Sequence, residues 1–511
     1  MANKVYTNRI SEYAGENGGR VILLFLLFLL SLYSLKTSGI QGMAMITALP
    51  FVVLFVYLAF SYRMFAFWTL FIINYFVMFL SKEGKMPLPA SLPNELLELV
   101  LIAIAIIDLR ENNFKYLANL MMVGILGWCM FCILEVLNDT CDLGINVGAW
   151  FTGIRLMAFQ LLYAVIVFAL YMNTPKRINQ LFIIWAFCTL FAVFWCWKQI
   201  NIGWTDAERA WLFNQGHATQ HIVNGITRYF STFTDAANFG IHMASASVVF
   251  YIIAITNKIK KRRIFFLIIG LLCTWAMFQS GTRTALFCMI AGFMVFLVLS
   301  KSAKIIVPVS IVLGLFVGML MFTNIGQGNA QIRRMRSAFL GTKDASANVR
   351  SINQEAIAKY LKDAPWGIGI GMQATDIPAN NKFKLLSTIP PDSEYVFIWV
   401  RTGKIGISWF IICNIIVLLG ACSTVFFKIK NKSLMGIGAA WCSAFVALHL
   451  GGYGNQVLMQ FPNILIFYGG LATVYLLPDI EQQFNEYEAK ELAEEAEKKR
   501  LKLEKKLAKR V

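Results

Sequence analysis

Arginine at the edge of an apolar span calls for an anion. Ser280-Gly281-Thr282-Arg283 stands between two apolar stretches of membrane-spanning length, and Arg228 heads the run Arg228-Tyr229-Phe230-Ser231-Thr232-Phe233 ahead of another. A guanidinium keeps its charge at physiological pH, and desolvating it without an anionic partner is costly. Two such groups on one membrane face would make a forked donor set suited to a diphosphate ester. The competing reading is a pair of interfacial arginines that snorkel to headgroups or close structural ion pairs.

Carboxylates supply the other half of a transfer chemistry. Asp392 and Glu394 flank Ser393, and either can serve as a general base toward a hydroxyl. Asp392 can equally cap a helix that begins at Ser393. His217 and His221 are four residues apart, the spacing of one helix face, and can act as base or substrate contact or form a plain polar pair in a loop. His242 and His449 fall inside apolar runs and are expected to hydrogen-bond within the bundle. Gly367-Ile368-Gly369-Ile370-Gly371 lacks the following Lys-Ser/Thr of a nucleotide loop, so a close backbone turn is expected there. Gly451-Gly452-Tyr453-Gly454-Asn455-Gln456 with Phe461-Pro462-Asn463 reads as a polar turn near the same mouth.

The elements that must position these groups are membrane helices. The 511 residues are 58% hydrophobic and 14% charged, with mean hydropathy +0.61, too apolar for a soluble chain of this length. Apolar runs mark spans near 20–36, 43–60, 64–80, 95–109, 117–137, 152–172, 180–198, 238–256, 264–280, 284–300, 305–322, 405–427, 434–451 and 460–477. Uninterrupted runs of this kind exclude the alternating pattern of a barrel and predict an all-α, polytopic transmembrane helical bundle of about 14 spans, 12 to 14. The first run carries no small-residue cleavage site and is expected to stay as a helix. Nine of the ten cysteines lie in spans and Cys141 in a loop, a distribution that gives no disulfide or metal-ligand pattern.

Short basic connections at Lys258–Arg263, Lys301–Lys304, Lys428–Lys432 and Lys176–Arg177 fall on one side when spans are counted alternately. That side is expected to be cytoplasmic and to carry both termini. The net charge of +18 is then topological, with membrane lipid headgroups as partners and no nucleic acid. The organisation expected is a transmembrane bundle over 1–478, a first long outer loop over 200–237, a large and partly helical outer loop over 323–404, and a charged helical tail over 479–511.

The large loop holds eleven Lys/Arg against six Asp/Glu, a basic excess that the orientation rule does not demand of long loops. Lys343, Lys382 and Lys384 are read as solvated charges. Ala347–Leu361 brings Val349, Ile352, Ala356, Ile357 and Tyr360 to one helical face, as for a helix lying on the bundle. The tail has nine acidic and nine basic residues and i,i+4 pairs such as Glu494/Lys498, the pattern of a solvated helix.

The order of motifs resembles the bacterial O-antigen ligase and polymerase superfamily. It comprises Arg228 through Phe233-Thr234-Asp235-Ala236-Ala237-Asn238-Phe239-Gly240, Ser280-Gly281-Thr282-Arg283, Arg350 through Pro365-Trp366-Gly367, and Asp392-Ser393-Glu394-Tyr395 with Gly403-Lys404-Ile405-Gly406. The resemblance covers about 200–475. It implies a metal-independent, cofactor-free membrane glycosyltransferase of the bacterial inner membrane that moves glycan from undecaprenyl diphosphate to an acceptor glycan at the periplasmic face. Arg228, Arg283 and Arg350 then hold the diphosphate, Glu394 and Asp392 are catalytic candidates, and His217, His221, Asn238 and Tyr395 are candidate substrate contacts. Partners implied are an undecaprenyl-diphosphate-linked oligosaccharide, the acceptor glycan and a chain-length regulator. The ligases carry histidine where this chain has Asp392-Ser393-Glu394, which favours an O-antigen or capsule polymerase over a ligase acting on lipid A core or protein. A flippase for lipid-linked glycan is the alternative of a different class, expected to show inverted repeats that this chain lacks.

Overall fold

The computed structural model describes residues 2–84, 91–107, 114–223, 225–337, 339, 345–373, 375–386 and 388–508. It divides into two compact units, Met1–Thr69 and Leu70–Val511. The first is dominated by the long helix Ala2–Ser61, broken at Gly39, where φ is +68°. Among the described residues the second unit is helical apart from a two-stranded hairpin that pairs Ile222 with Thr227 and Val223 with Ile226.

Ten helices among the described residues are long and apolar enough to cross a membrane, or eleven if a bent pair counts as one span. The all-α membrane bundle expected from sequence is what the chain forms; the expected count of about 14 spans is not reached among the described residues. Four of the marked runs fall outside that set. Runs 20–36 and 43–60 lie on either side of the break at Gly39 in the Ala2–Ser61 helix, where Phe25–Gly39 and Leu49–Ser61 are apolar. Run 95–109 is described as far as Ile107, in the helix Ser91–Ile107. Run 460–477 becomes Ile464–Val474, bent by 84° against the tail helix.

The core of the second unit is the helix Ala236–Thr256, packed against Lys260–Gln279, Arg283–Ser300 and Lys432–Gly454. Small residues permit the approach, as membrane packing requires in place of a hydrophobic driving force. A Cβ at Gly292 would meet Val248, and one at Gly436 would meet Thr256. The alternating direction of these helices brings the N-termini of Ala236–Thr256, Arg283–Ser300 and Glu394–Ser423 to one end. The C-termini of Lys260–Gln279 and Lys432–Gly454 join them there.

The large loop is ordered around its own apolar cluster, in which Ile357, Leu361, Ala364, Ile368, Ile377 and Phe383 pack with Val396 and Val400 of the following helix. Its helix, Ala345–Leu361, docks only by the last turns. Val349 and Ile352, expected on the packed face, are 53% and 65% exposed, because the cluster reaches no further than Ile357. Lys384, expected as a solvated charge, donates to the Ile377 carbonyl at 2.6 Å.

The Gly367–Gly371 run is a close backbone pass. Ile368 and Gly369 donate to the carbonyls of Val400 and Arg401, both at 3.0 Å, beside the break at Gly403 (φ +65°) in the Glu394–Ser423 helix. A Cβ on Gly403 would stand 2.0 Å from the Pro365 carbonyl oxygen, so neither the backbone angle nor the space accepts a side chain.

The tail, Leu477–Ala508, is not the solvated helix its charge pattern suggests along its first half. Glu488 takes Lys258 Nζ at 2.8 Å and Ser433 Oγ at 2.5 Å, and Glu491 takes both terminal nitrogens of Arg262 at 2.6 and 2.5 Å. Glu481 accepts the Lys430 and Asn431 amides. The basic connections thus bind the tail. Only beyond it do exposed pairs such as Glu494–Lys498 appear.

Candidate functional site

The turn between Lys260–Gln279 and Arg283–Ser300 is the centre of the cationic site. Gly281 takes φ +58°, a left-handed value that glycine adopts without strain. Ser280 Oγ folds back to Met277 O at 2.7 Å and accepts the Thr282 amide at 3.1 Å, which closes the turn and points its carbonyls outward. Arg228 Nε donates to Ser280 O at 3.3 Å and Nη2 to Thr282 Oγ1 at 3.0 Å, while Arg334 Nε donates to Gly281 O at 2.8 Å. Arg283 opens the next helix, with Thr282 as its cap residue.

Arg228 is set in place by the hairpin: its amide donates to His221 O at 2.7 Å, and Nη1 donates to Gln220 O at 3.1 Å. Its guanidinium is pushed down to about 10, first by burial and then by the neighbouring charges of Arg334, Arg283 and Arg350, with Asp235 acting the other way. Four arginines therefore share one field. Asp235 is committed locally, capping the Ala236–Thr256 helix through the amides of Ala237 and Asn238 at 2.7 and 2.9 Å. A concentration of fixed guanidinium groups of this kind lowers the energy of an entering polyanion.

Arg334 escaped assignment in the sequence because it sits in Arg333-Arg334-Met335-Arg336, where three arginines look alike. The structure separates them: Arg333 and Arg336 turn to the local carbonyls of Gln327 and Thr323, and Arg334 alone reaches the Gly281 turn. Lys82 is a second residue that sequence reasoning missed. Its Nζ donates to Phe233 O and Thr234 O at 2.8 and 2.9 Å and lies over the rings of Trp211 and Phe230 at 3.8 and 4.2 Å. It fixes the stretch between Arg228 and Asp235.

The two histidines of the first loop serve that scaffold. His217 stacks on Trp211 with ring centres 4.3 Å apart. His221 is buried; its Nδ1 donates to His217 O at 2.9 Å, and Nε2 accepts the Ala236 amide at 3.4 Å. Those two bonds define a neutral imidazole, and burial pushes its pKa down to about 4.

On the carboxylate side, Glu394 is buried, and its Oε2 accepts the Leu458 amide at 2.9 Å and the Met459 amide at 3.5 Å. Ser393, not Asp392, caps the helix, accepting the Tyr395 amide at 3.2 Å. Asp392 instead accepts Asn353 Nδ2 at 3.3 Å, because the extended Ser393 backbone already holds the cap position. Tyr395 passes inward, its hydroxyl 2.9 Å from His449 Nδ1.

The polar turn after Gly454 ties the two halves together. Asn455 reaches Thr284, next to Arg283, at 3.5 Å. Leu458 and Met459 hold Glu394. Asn238 Nδ2 donates to Phe461 O at 2.9 Å, and its Oδ1 accepts Asn463 Nδ2 at 2.7 Å. Asn238 is thus a buried strut between the turn and the core helix.

The chain is a polytopic α-helical membrane protein whose polar motifs gather at one end of its bundle around four arginines and a buried carboxylate. Residues 268–411 match the family described as O-antigen ligase, which supports the resemblance of the motifs to the O-antigen ligase and polymerase superfamily. The matched segment holds Arg283, Arg334, Arg350 and Glu394; Arg228, Lys82 and the turn after Gly454 lie outside it. No curated protein matches the chain. The match supports a surface-polysaccharide function of the ligase or polymerase type in a multi-pass membrane protein.

Proposed function

We propose that the protein is a polysaccharide polymerase of the bacterial inner membrane that transfers glycan from undecaprenyl diphosphate to the end of an acceptor glycan at the periplasmic face. The observation that carries this reading is the meeting of Arg228 and Arg334 on the Ser280-Gly281-Thr282 turn immediately before Arg283. In the step, the acceptor hydroxyl oxygen attacks the anomeric carbon and the bond from that carbon to the diphosphate oxygen breaks. The diphosphate leaves with the electron pair, and the hydroxyl proton passes to a carboxylate. Arginines fixed before reaction stabilise the leaving charge without reorganising. Glu394, held by two backbone amides, is the base of choice; Asp392 is engaged by Asn353. The absence of a histidine at Asp392-Ser393-Glu394 favours the polymerase branch over a ligase.

The test is an assay in nanodiscs with a synthetic undecaprenyl-diphosphate repeat unit. Wild type is expected to yield a glycan ladder and free undecaprenyl diphosphate, and Arg228→Ala neither. Intact substrate appearing across a sealed vesicle with no ladder would replace this reading with a flippase.

A further inference from the structure

A cavity of mixed lining, with Leu156, Met157, Ile370 and Met459 beside its polar groups, adjoins Glu394 and includes none of the four clustered arginines. It has a volume of about 220 Å³, enough for one sugar ring, and its wall brings together Glu394, Phe397, Arg401, Gln373, Gln456 and Gln460. Its chemistry is opposite to that of the arginine turn. A diphosphate needs donors only, whereas a side-chain amide offers a donor and an acceptor together, as a hydroxyl does. A carboxylate in the wall repels a phosphate and accepts from a hydroxyl. The single cation is already occupied: Arg401 Nη1 donates to Ile370 O at 3.4 Å, and its guanidinium stands 5.2 Å from the Phe397 ring.

Among the described residues, one buried wall atom lacks a partner. Gln460 Oε1 is buried and accepts no hydrogen bond among the described residues. An unsatisfied buried acceptor carries a desolvation cost that an entering O–H donor removes. The floor is rigid on this side, because Leu458 and Met459, just before Gln460, are tied to Glu394.

We infer that this cavity is a subsite for an uncharged pyranose, the terminal ring of the acceptor chain, which it holds with one hydroxyl toward Glu394. Calling that ring the acceptor rests on the proposed function; the binding of a neutral sugar does not. Gln460 and Gln373 are binding residues in this arrangement, while Gln456 also braces the fold by donating to Pro391 O.

The test is saturation-transfer NMR on the full chain in nanodiscs with the methyl glycosides of glucose, galactose, mannose, N-acetylglucosamine and N-acetylgalactosamine. Binding of a short polyprenyl diphosphate is measured in parallel. At least one glycoside is expected to bind saturably, about tenfold more weakly in Gln460→Leu, the size of one hydrogen bond, and unchanged in Arg334→Ala. Polyprenyl diphosphate should show the reverse pattern. Gln373→Leu, at an exposed position, repeats the test without disturbing a buried group. Saturable binding by no glycoside, or glycoside binding indifferent to both glutamine variants, overturns the subsite while the arginine reading stands. Glycoside binding that depends on Gln460, with diphosphate binding indifferent to Arg334, leaves the subsite and removes the donor assignment.

Discussion

Arg228 and Arg334 donate to successive carbonyls of one turn, Ser280 O and Gly281 O, although they come from segments more than a hundred residues apart in the chain. Their aliphatic stems flank the same glycine: a Cβ on Gly281 would lie 3.3 Å from Arg228 Cγ and 3.2 Å from Arg334 Cδ. Two like charges are held together by backbone acceptors, so the cationic field exists before any anion enters.

Arg334 is accordingly expected to matter as much as the arginines that flank the spans. Arg334→Ala should lower turnover by roughly 10²–10³-fold, the range for loss of one fixed donor to a developing anion. The melting temperature should change little, since the residue is only half-buried. Arg334→Lys should recover little of the loss, because an ammonium has no fork to share between a carbonyl and a phosphate. Release of diphosphate lipid by each variant, beside a thermal melt, decides this; full activity in Arg334→Ala would remove the residue from the site.

Gly281 sets the spacing of that pair. Its φ of +58° costs a residue with a side chain about 1–3 kcal/mol, and the new methyl group would press on both arginine stems and on Gln331 Oε1, 2.9 Å away. Gly281→Ala is therefore expected to lower both thermal stability and turnover. A melt unchanged from wild type would show that the turn relaxes at no cost.

Glu394 has two roles that chemistry can separate. Its Oε2 accepts the Leu458 and Met459 amides, a task the carbonyl of glutamine can take over, whereas only the carboxylate can receive a proton. Glu394→Gln should keep the wild-type melt and lose roughly 10²–10⁴-fold in turnover, the usual share of a general base. Glu394→Ala should in addition lose about 1–3 kcal/mol, because two amides are left unpaired. Asp392→Asn is expected to stay within a few-fold of wild type, since its contact is to the Asn353 side chain. An active Glu394→Gln would rule the residue out as base.

His221 gives the first loop a pH dependence of known sign. Unfolded, its imidazole titrates near 6.5; folded, burial holds it down at about 4. Between those values the unfolded chain binds the extra proton, so stability present above about 6.5 is lost as pH falls toward 4. Melting temperatures measured from pH 7 to pH 4 should fall more steeply for wild type than for His221→Gln. Parallel curves would mean that the ring does not stay neutral in the folded loop.

Much of this architecture is legible in the chain because its signals are local. Apolar length announces the helices, and the same runs gave Arg228 and Arg283 their place beside span ends. What apolar length does not announce is the backbone break at Gly39, which falls between the first two runs within one long helix. The site was legible in part. Arg334 is hidden by its neighbours Arg333 and Arg336, which differ from it only in the carbonyls they reach. Lys82 carries no pattern at all, since its carbonyl partners at Phe233 and Thr234 lie about 150 residues along the chain. The cap assignment failed for a smaller reason: Asp392 and Ser393 are both good caps, and only the extended backbone at Ser393 decides between them.

The tail tests whether charge pairing or solvation governs Leu477–Ala508. Glu491 bonds both terminal nitrogens of Arg262, and Tyr487 donates to the same carboxylate at 2.7 Å. Paired, partly buried geometry of this kind resists salt far better than exposed i,i+4 pairs. The double variant Glu488→Gln, Glu491→Gln removes the charge on the two anchors that bind side-chain cations while leaving the helix's own backbone bonds intact. It should speed tryptic cleavage within the tail and raise amide exchange along 477–500. Breaking the exposed pairs with Lys498→Gln and Lys499→Gln should leave exchange over 477–491 as in wild type, each exposed pair being worth only about 0.3–0.5 kcal/mol. Equal protection in both variants would mean that the apolar contacts of Ile480 and Phe484, both buried, together with Glu481, hold the helix without help from Glu488 and Glu491.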